Sequence, residues 1–183
     1  PADYDISKRS YPVVYLLHGY SDNETAWVQF GEVNMSVDRA IAAREIPPMI
    51  IVMPDAKVTF YINDMAGKDR YEDMFFQEFI PYIEKTYRIR AQKEFRAISG
   101  LSMGGYGTLV YALKHPDMFV AAAPFSAAIW TDEEIQNMPS DGFIRRMDRL
   151  GCPDLNDRLC ENWRKNSVLD LVKSQPKEKI ETV

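Results

Sequence analysis

Phe95-Arg-Ala-Ile-Ser-Gly-Leu-Ser-Met-Gly-Gly105 decides how this chain is read. Phe95, Ala97 and Ile98 form a short apolar, β-prone run that passes into Gly100-Leu101-Ser102-Met103-Gly104. A helix-like run over residues 106–114 follows at once. Gly-x-Ser-x-Gly between a strand and a helix is the pattern of a nucleophile elbow. A serine on so sharp a turn takes unfavourable backbone angles, and strand and helix can pass close to it only if its neighbours are small. Gly100 and Gly104 are those neighbours, and Gly105 adds clearance. The turn lifts the Ser102 hydroxyl above the sheet edge, at the positive end of the following helix. Competing glycine motifs fail: no Lys-Ser/Thr pair follows, and the spacing is not Gly-x-Gly-x-x-Gly.

Outward from the elbow, residues 11–17, 49–53 and 119–125 are near-continuous apolar runs, the pattern of strands buried on both faces. Helical spacing predicts a helix over residues 34–45, stopped by Pro47-Pro48, and another over 104–114, ended by His115-Pro116. A third, over residues 70–87, carries Phe75, Phe79, Ile83 and Tyr87 four apart, and Pro81 should kink or split it. The order β-α-β-α-β-α-β predicts the α/β class, a mostly parallel sheet with helices on both faces. Ligands of such sheets bind beyond the carboxyl ends of the strands, where His18-Gly19-Tyr20, Asp55 and Ser102 fall.

After Ser126 the rhythm changes. Residues 129–177 are more polar, with short helices predicted at 131–137, 141–150 and 156–165 and no strand. Trp130, Met138, Phe143, Met147 and Trp163 are scattered through this insert, which reads either as a lid over the sheet edge or as ordinary peripheral packing. Residues 180–183 read as the opening of a fifth strand. The first residue is Pro1, not Met, so residues 1–183 are expected to be a single domain within a longer product, incomplete at both ends.

The totals narrow the class. A chain of 183 residues that is 46% hydrophobic and 27% charged can bury a core. A net charge of -5 lacks the basic face that nucleic acid requires, and no apolar run reaches the length of a membrane span. Cys152 and Cys160 leave a disulfide and two free thiols both open, and nothing reads as a metal or cofactor site.

A serine nucleophile needs a base, an acid that orients the base, and donors for the developing oxyanion. The donors predicted here are the backbone N–H of Met103, just after the serine, and that of Tyr20, in the loop after the first strand. The base is missing. His18 precedes the serine, whereas this architecture places acid and histidine after it; an imidazole there shapes the turn. His115 ends the helix behind the serine, about three turns away at 1.5 Å per residue, and suits a helix C-terminus. Asp55, Asp154 and Asp170 have no position that assigns one of them as the acid.

These residues resemble the esterase family of the α/β-hydrolase superfamily that includes bacterial feruloyl, tributyrin and acetyl esterases. The likeness rests on Tyr11-Pro-Val-Val-Tyr-Leu-Leu-His-Gly-Tyr-Ser-Asp-Asn-Glu-Thr-Ala-Trp27, on Val52-Met-Pro-Asp55, and on residues 71–87 and 97–124. It implies an α/β-hydrolase fold truncated at both ends, with the catalytic acid and histidine beyond Val183. It supports Ser102 as nucleophile and Met103 and Tyr20 as oxyanion donors. It implies a serine esterase that forms an acyl-enzyme without a cofactor, on small-molecule or polysaccharide-linked esters, feruloyl or acetyl. Tyr61, beside Phe60, and Trp130 are candidates to hold a flat phenolic acyl group, or else are core or rim residues. The alternatives are an S-formylglutathione hydrolase or acyltransferase on the same fold, and an inactive fragment or binding module. Oligomeric state is left open, as is the compartment, with a secreted or periplasmic one preferred to a cytoplasmic one.

Overall fold

The computed structural model describes residues 1–142, 152, 154 and 156–176. The predicted helix over 141–150, Phe143 and Met147 in it, and the strand at 180–183 lie wholly or largely outside them. The apolar runs form four parallel strands: β1 (Val13–Leu17), β2 (Ile50–Val52), β3 (Arg96–Leu101) and β4 (Ala121–Phe125). Their order in the sheet is β2-β1-β3-β4. Val13 pairs with Ile50 on one side and with Arg96 on the other, and Ala97 pairs with Ala121. The chain therefore moves outward from β1 to β2, then crosses back to place β3 on the other flank of β1. That reversal makes the carboxyl ends of β1 and β3 a topological switch point, where sheets of this kind bind ligands.

Helices α1 (Ala26–Gln29) and α2 (Val33–Ala42) join β1 to β2. Between β2 and β3 run α3 (Tyr71–Met74), a π-helical turn over Phe75–Phe79, and α4 (Ile80–Thr86). Pro81 does split this helix: it lacks an N–H, and the split is absorbed by the turn just before it, where the Ile80 N–H bonds Phe75 O, five residues back. Phe75, Ile80 and Ile83 are its buried residues, so the spacing of four marks the core face at Phe75 and Ile83, while Tyr87 is exposed. Arg96 at the start of β3 is buried with Glu84 of α4, in a two-pronged ion pair at 2.7 and 2.9 Å.

Helix α5 (Met103–Lys114) crosses β1, β3 and β4. The fourth strand begins at Ala121, not Phe119; Phe119 packs into the core from the preceding turn. Beyond β4 come α6 (Asp132–Asn137), capped by a reciprocal Thr131–Glu134 box, α7 (Glu161–Asn166) and α8 (Val168–Ser174). The predicted 156–165 helix is thus shorter and starts later, and α8 was not foreseen. Cys152 and Cys160 form a disulfide. Ile135, Trp163, Val168 and both cysteines belong to the same apolar core as the sheet. The Tyr106 hydroxyl donates to Asn166 O at 2.7 Å, and Gln175 Nε2 to Leu113 O at 3.0 Å, which fastens this segment to α5. Among the described residues no helix is long and apolar enough to cross a membrane.

Candidate active site

β3 ends at Leu101 and α5 begins at Met103, so the whole reversal of the chain falls on Ser102, at φ 56° and ψ -108°. A side-chain-bearing residue at such angles carries strain and persists only where its surroundings over-determine it. Here the Ser102 N–H donates to Phe125 O at 2.9 Å, and its carbonyl accepts from Tyr106 N at 2.9 Å and Ala128 N at 3.0 Å. The glycines do what the motif requires. A Cβ on Gly104 would sit 2.4 Å from Leu17 O and 2.7 Å from His18 O, and one on Gly100 would sit 2.4 Å from Gly104 O. Helix α5 therefore lies directly on the backbone at the end of β1.

The Ser102 side chain is half-buried and caps no N–H of the helix. The first intrahelical bond of α5 is that of Tyr106, which leaves the N–H groups of Met103, Gly104 and Gly105 without helical acceptors. The Met103 N–H follows the serine directly.

Across from the elbow lies the loop after β1. Gly19 approaches so closely that a Cβ there would stand 3.9 Å from Ser102 Cβ. The Gly19 carbonyl accepts from His18 Nδ1 at 2.8 Å and from Asp22 N at 3.2 Å. His18 Nε2 in turn accepts the Ala56 N–H at 2.8 Å, and the Tyr61 hydroxyl donates to His18 O at 3.0 Å. The proton of this imidazole is therefore on Nδ1, an assignment that follows from its partners. The Asp55 carboxylate lies 3.4 Å from Nε2, but the Ala56 N–H already takes that lone pair, so the two do not form an ion pair. His18 is 1% exposed and its Nε2 is occupied; it shapes the turn, as the sequence suggested.

The other histidine is held elsewhere. His115 Nε2 lies 3.1 Å from Glu72 Oε1, its ring is 3.8 Å from that of Phe76, and it stands at the far end of α5. Burial opposes ionisation of Glu72, but the hydrogen bond from His115 and the Lys114 ammonium prevail and hold its carboxyl below the ordinary glutamate range. Of the acidic candidates, Asp170 pairs with Arg164 and Lys173, and Asp55 Oδ1 accepts the Lys57 N–H.

Tyr61 belongs to the interior. It is fully buried, its hydroxyl is bonded to His18 O, and its ring packs on Tyr71 and Tyr111, which leaves no face for a ligand. Trp130 is half-buried, with its ring 5.8 Å from Phe60 and 6.4 Å from Tyr106. The Tyr20 ring lies tilted 5.8 Å from that of Phe60, and Tyr20 is 46% exposed. A cavity of about 160 Å³ opens beside Gly19 and Leu101, lined also by Trp27, Phe30 and Asp22. The sequence did not reveal that Ala56 anchors His18. The signal was faint: a small residue after Pro54-Asp55, in a loop 38 residues from its partner.

A parallel sheet with its switch point at β1 and β3, and a strained serine between glycines in the β3–α5 turn, defines an α/β-hydrolase. The family described as "Putative esterase" matches residues 1–178, and the chain belongs to it. An endo-1,4-β-xylanase/feruloyl esterase of Xylanibacter ruminicola is 35% identical over 147 residues, 79% of this chain and 20% of that protein. An acetyl esterase of Caldicellulosiruptor saccharolyticus is 28% identical over 75% of this chain and 48% of its own length. A solved ferulic acid esterase superposes with a TM-score of 0.78 at 33% identity, covering 100% of this chain and 66% of that one. The chain thus spans about a fifth to two thirds of the length of these relatives.

Proposed function

We propose that the protein is a serine carboxylic-ester hydrolase with Ser102 as its nucleophile. The observation that carries this reading is the geometry of Ser102, held at φ 56° on the turn into α5 with the free Met103 N–H beside it. The Ser102 Oγ attacks the ester carbonyl and its proton passes to a base. The charge that builds on the carbonyl oxygen is received by the N–H groups of Met103 and Tyr20. The C–O bond to the alcohol breaks, the alcohol leaves with the proton, and water then releases the carboxylic acid from the acyl-enzyme. The base is neither His18, whose Nε2 holds the Ala56 N–H, nor His115, which is bound to Glu72. On this reading the base and its acid are supplied from beyond Val183, as the esterase resemblance implies.

The substrates proposed are feruloyl or acetyl esters of plant polysaccharides, a reading supported by the relatives' names and by an aromatic wall. Trp130, leaning on Phe60 and Tyr106, offers a flat face to a phenolic acyl group. Such a substrate favours a secreted or periplasmic protein. A fluorophosphonate probe on the intact protein tests the nucleophile: wild type is labelled and Ser102→Ala is not. Labelling that survives Ser102→Ala, or unchanged turnover of an activated ester by that variant, overturns the reading. Comparing kcat/KM for feruloylated and acetylated oligosaccharides, with Trp130→Ala lowering the first more than the second, tests the substrate class.

A further inference from the structure

A trans peptide carries its C=O and its N–H on opposite sides. The Gly19–Tyr20 peptide is the one whose N–H is assigned above to the oxyanion, so whatever holds the Gly19 carbonyl also aims the Tyr20 N–H. Glycine at 19 places no side-chain restraint on that plane, and the alternative orientation would turn a carbonyl oxygen toward the developing charge. Two donors hold the carbonyl: Asp22 N at 3.2 Å, and His18 Nδ1 at the shorter 2.8 Å.

The His18 donor is itself fixed from the other side of the ring. The Ala56 N–H occupies Nε2 at 2.8 Å, which puts the ring proton on Nδ1. The ring is 1% exposed and lies 5.9 Å from that of Tyr61, whose hydroxyl bonds the His18 carbonyl at 3.0 Å. The carbonyls of Leu17 and His18 are pressed against Gly104 of α5, so the loop cannot slide along the helix. Residues from the loop after β2 thus reach into the loop after β1 and act on one peptide plane beside Ser102.

We propose that His18 is a positioning residue: its Nδ1–H locks the Gly19–Tyr20 peptide so that the Tyr20 N–H faces the oxyanion, with Ala56 setting the tautomer that makes this possible. The inference rests on Ser102 as nucleophile and Tyr20 as donor, and adds what holds the second donor in place. It predicts that the imidazole acts on kcat without touching substrate.

The test is made on the intact protein with Nδ1-methylhistidine at position 18, which blocks the donor to Gly19 and leaves Nε2 free for Ala56. The expected result is a fall in kcat of about 10²–10³-fold, the effect of losing one oxyanion donor, with KM little changed. A second variant, with the Tyr20 amide replaced by an ester, removes the N–H itself and leaves His18 intact. It should lose the same factor, and combining the two should cost no more than either. A third readout is the amide proton shift on phosphonylation of Ser102. In wild type both Met103 and Tyr20 shift downfield; with methylated His18 only Met103 does. Wild-type kcat with methylated His18, additive losses, or a Tyr20 proton that still moves downfield in that variant overturns the inference alone. Wild-type kcat in the ester variant overturns the Tyr20 donor assignment, and this inference with it. A wild-type protein that the phosphonate does not label at Ser102 overturns the nucleophile assignment instead, and this inference with it.

Discussion

Replacing Ser102 by glycine and, separately, by alanine measures the strain held at the elbow. Ser102 sits at φ 56° and ψ -108°, a conformation that costs a residue with a Cβ about 1–3 kcal/mol. Alanine keeps the Cβ and therefore the strain. Glycine releases it, and gives back about 0.5–1 kcal/mol because its unfolded chain is freer. The side chain caps no N–H of α5, so neither change removes a cap. The glycine variant should therefore be the more stable of the two by about 1 kcal/mol, the central value of that difference. In an element at ordinary angles the order is reversed, with glycine below alanine by about 0.5–1 kcal/mol. The sign is thus diagnostic. Thermal unfolding followed by circular dichroism reads it, since 1 kcal/mol moves Tm by about 2–4 °C in a chain of this size. Both variants should be inactive on an activated ester. A glycine variant that melts below the alanine variant refutes the claim that this turn is strained.

Other perturbations test the frame around the site. Gly104→Ala puts a Cβ 2.4 Å from Leu17 O; it should lift α5 from β1, lower stability by about 1–3 kcal/mol in urea unfolding, and reduce ester turnover because Ser102 moves with the helix. Glu84→Ala leaves the Arg96 guanidinium, 7% exposed, without its carboxylate, and should cost about 3–5 kcal/mol by the same measurement. Glu72 is held below the ordinary glutamate value, so its ionised form stabilises the fold above about pH 4.3, and that contribution is lost as pH falls through this value toward the lowered one. Stability measured against pH should show this acid loss, and Glu72→Gln should flatten it.

How far the sequence carried depends on the range over which each feature is determined. Strands buried on both faces write themselves as unbroken apolar runs, so Val13–Leu17 and the parallel sheet were legible. The elbow was legible because Gly100 answers to Gly104 four residues on, although Gly104 itself meets Leu17 O and His18 O from the distant end of β1. Strand and helix limits were less so: Phe119 is as apolar as a strand residue, but it enters the core from a turn and leaves the first ladder pair to Ala121. Tyr61 misled because composition does not separate an aromatic ring facing a ligand from one facing the core. Its burial is decided by Tyr71, Tyr111 and the His18 carbonyl, which come from three other parts of the chain. His18 was legible as a turn residue. Its tautomer was not, because the Ala56 N–H that fixes it arrives from 38 positions away.

Strain and the proposed site fall together in this fold. Eight residues other than glycine have positive φ among the described residues, and six of them, Ser21, Lys57, Phe60, Tyr61, Ser102 and Ser126, lie in the loops that leave the carboxyl ends of β1 to β4. Angles of this kind persist only where neighbouring contacts outweigh their cost. For Ser102 those contacts are Phe125 O and Ala128 N; in the loop opposite, Ala56 N and the Tyr61 hydroxyl hold His18. The loop after β4 thus restrains the serine, and the loop after β2 restrains the peptide opposite it. Loosening a loop that bears no reacting atom should therefore blunt the chemistry through the geometry of the other two. Thr59→Ala tests this away from every assigned group: Thr59 Oγ1 closes the β2 loop onto Ala56 O at 2.9 Å, so its loss should lower kcat while leaving KM near wild type. A change in KM alone would mean that the loop serves binding rather than the alignment of donor and nucleophile.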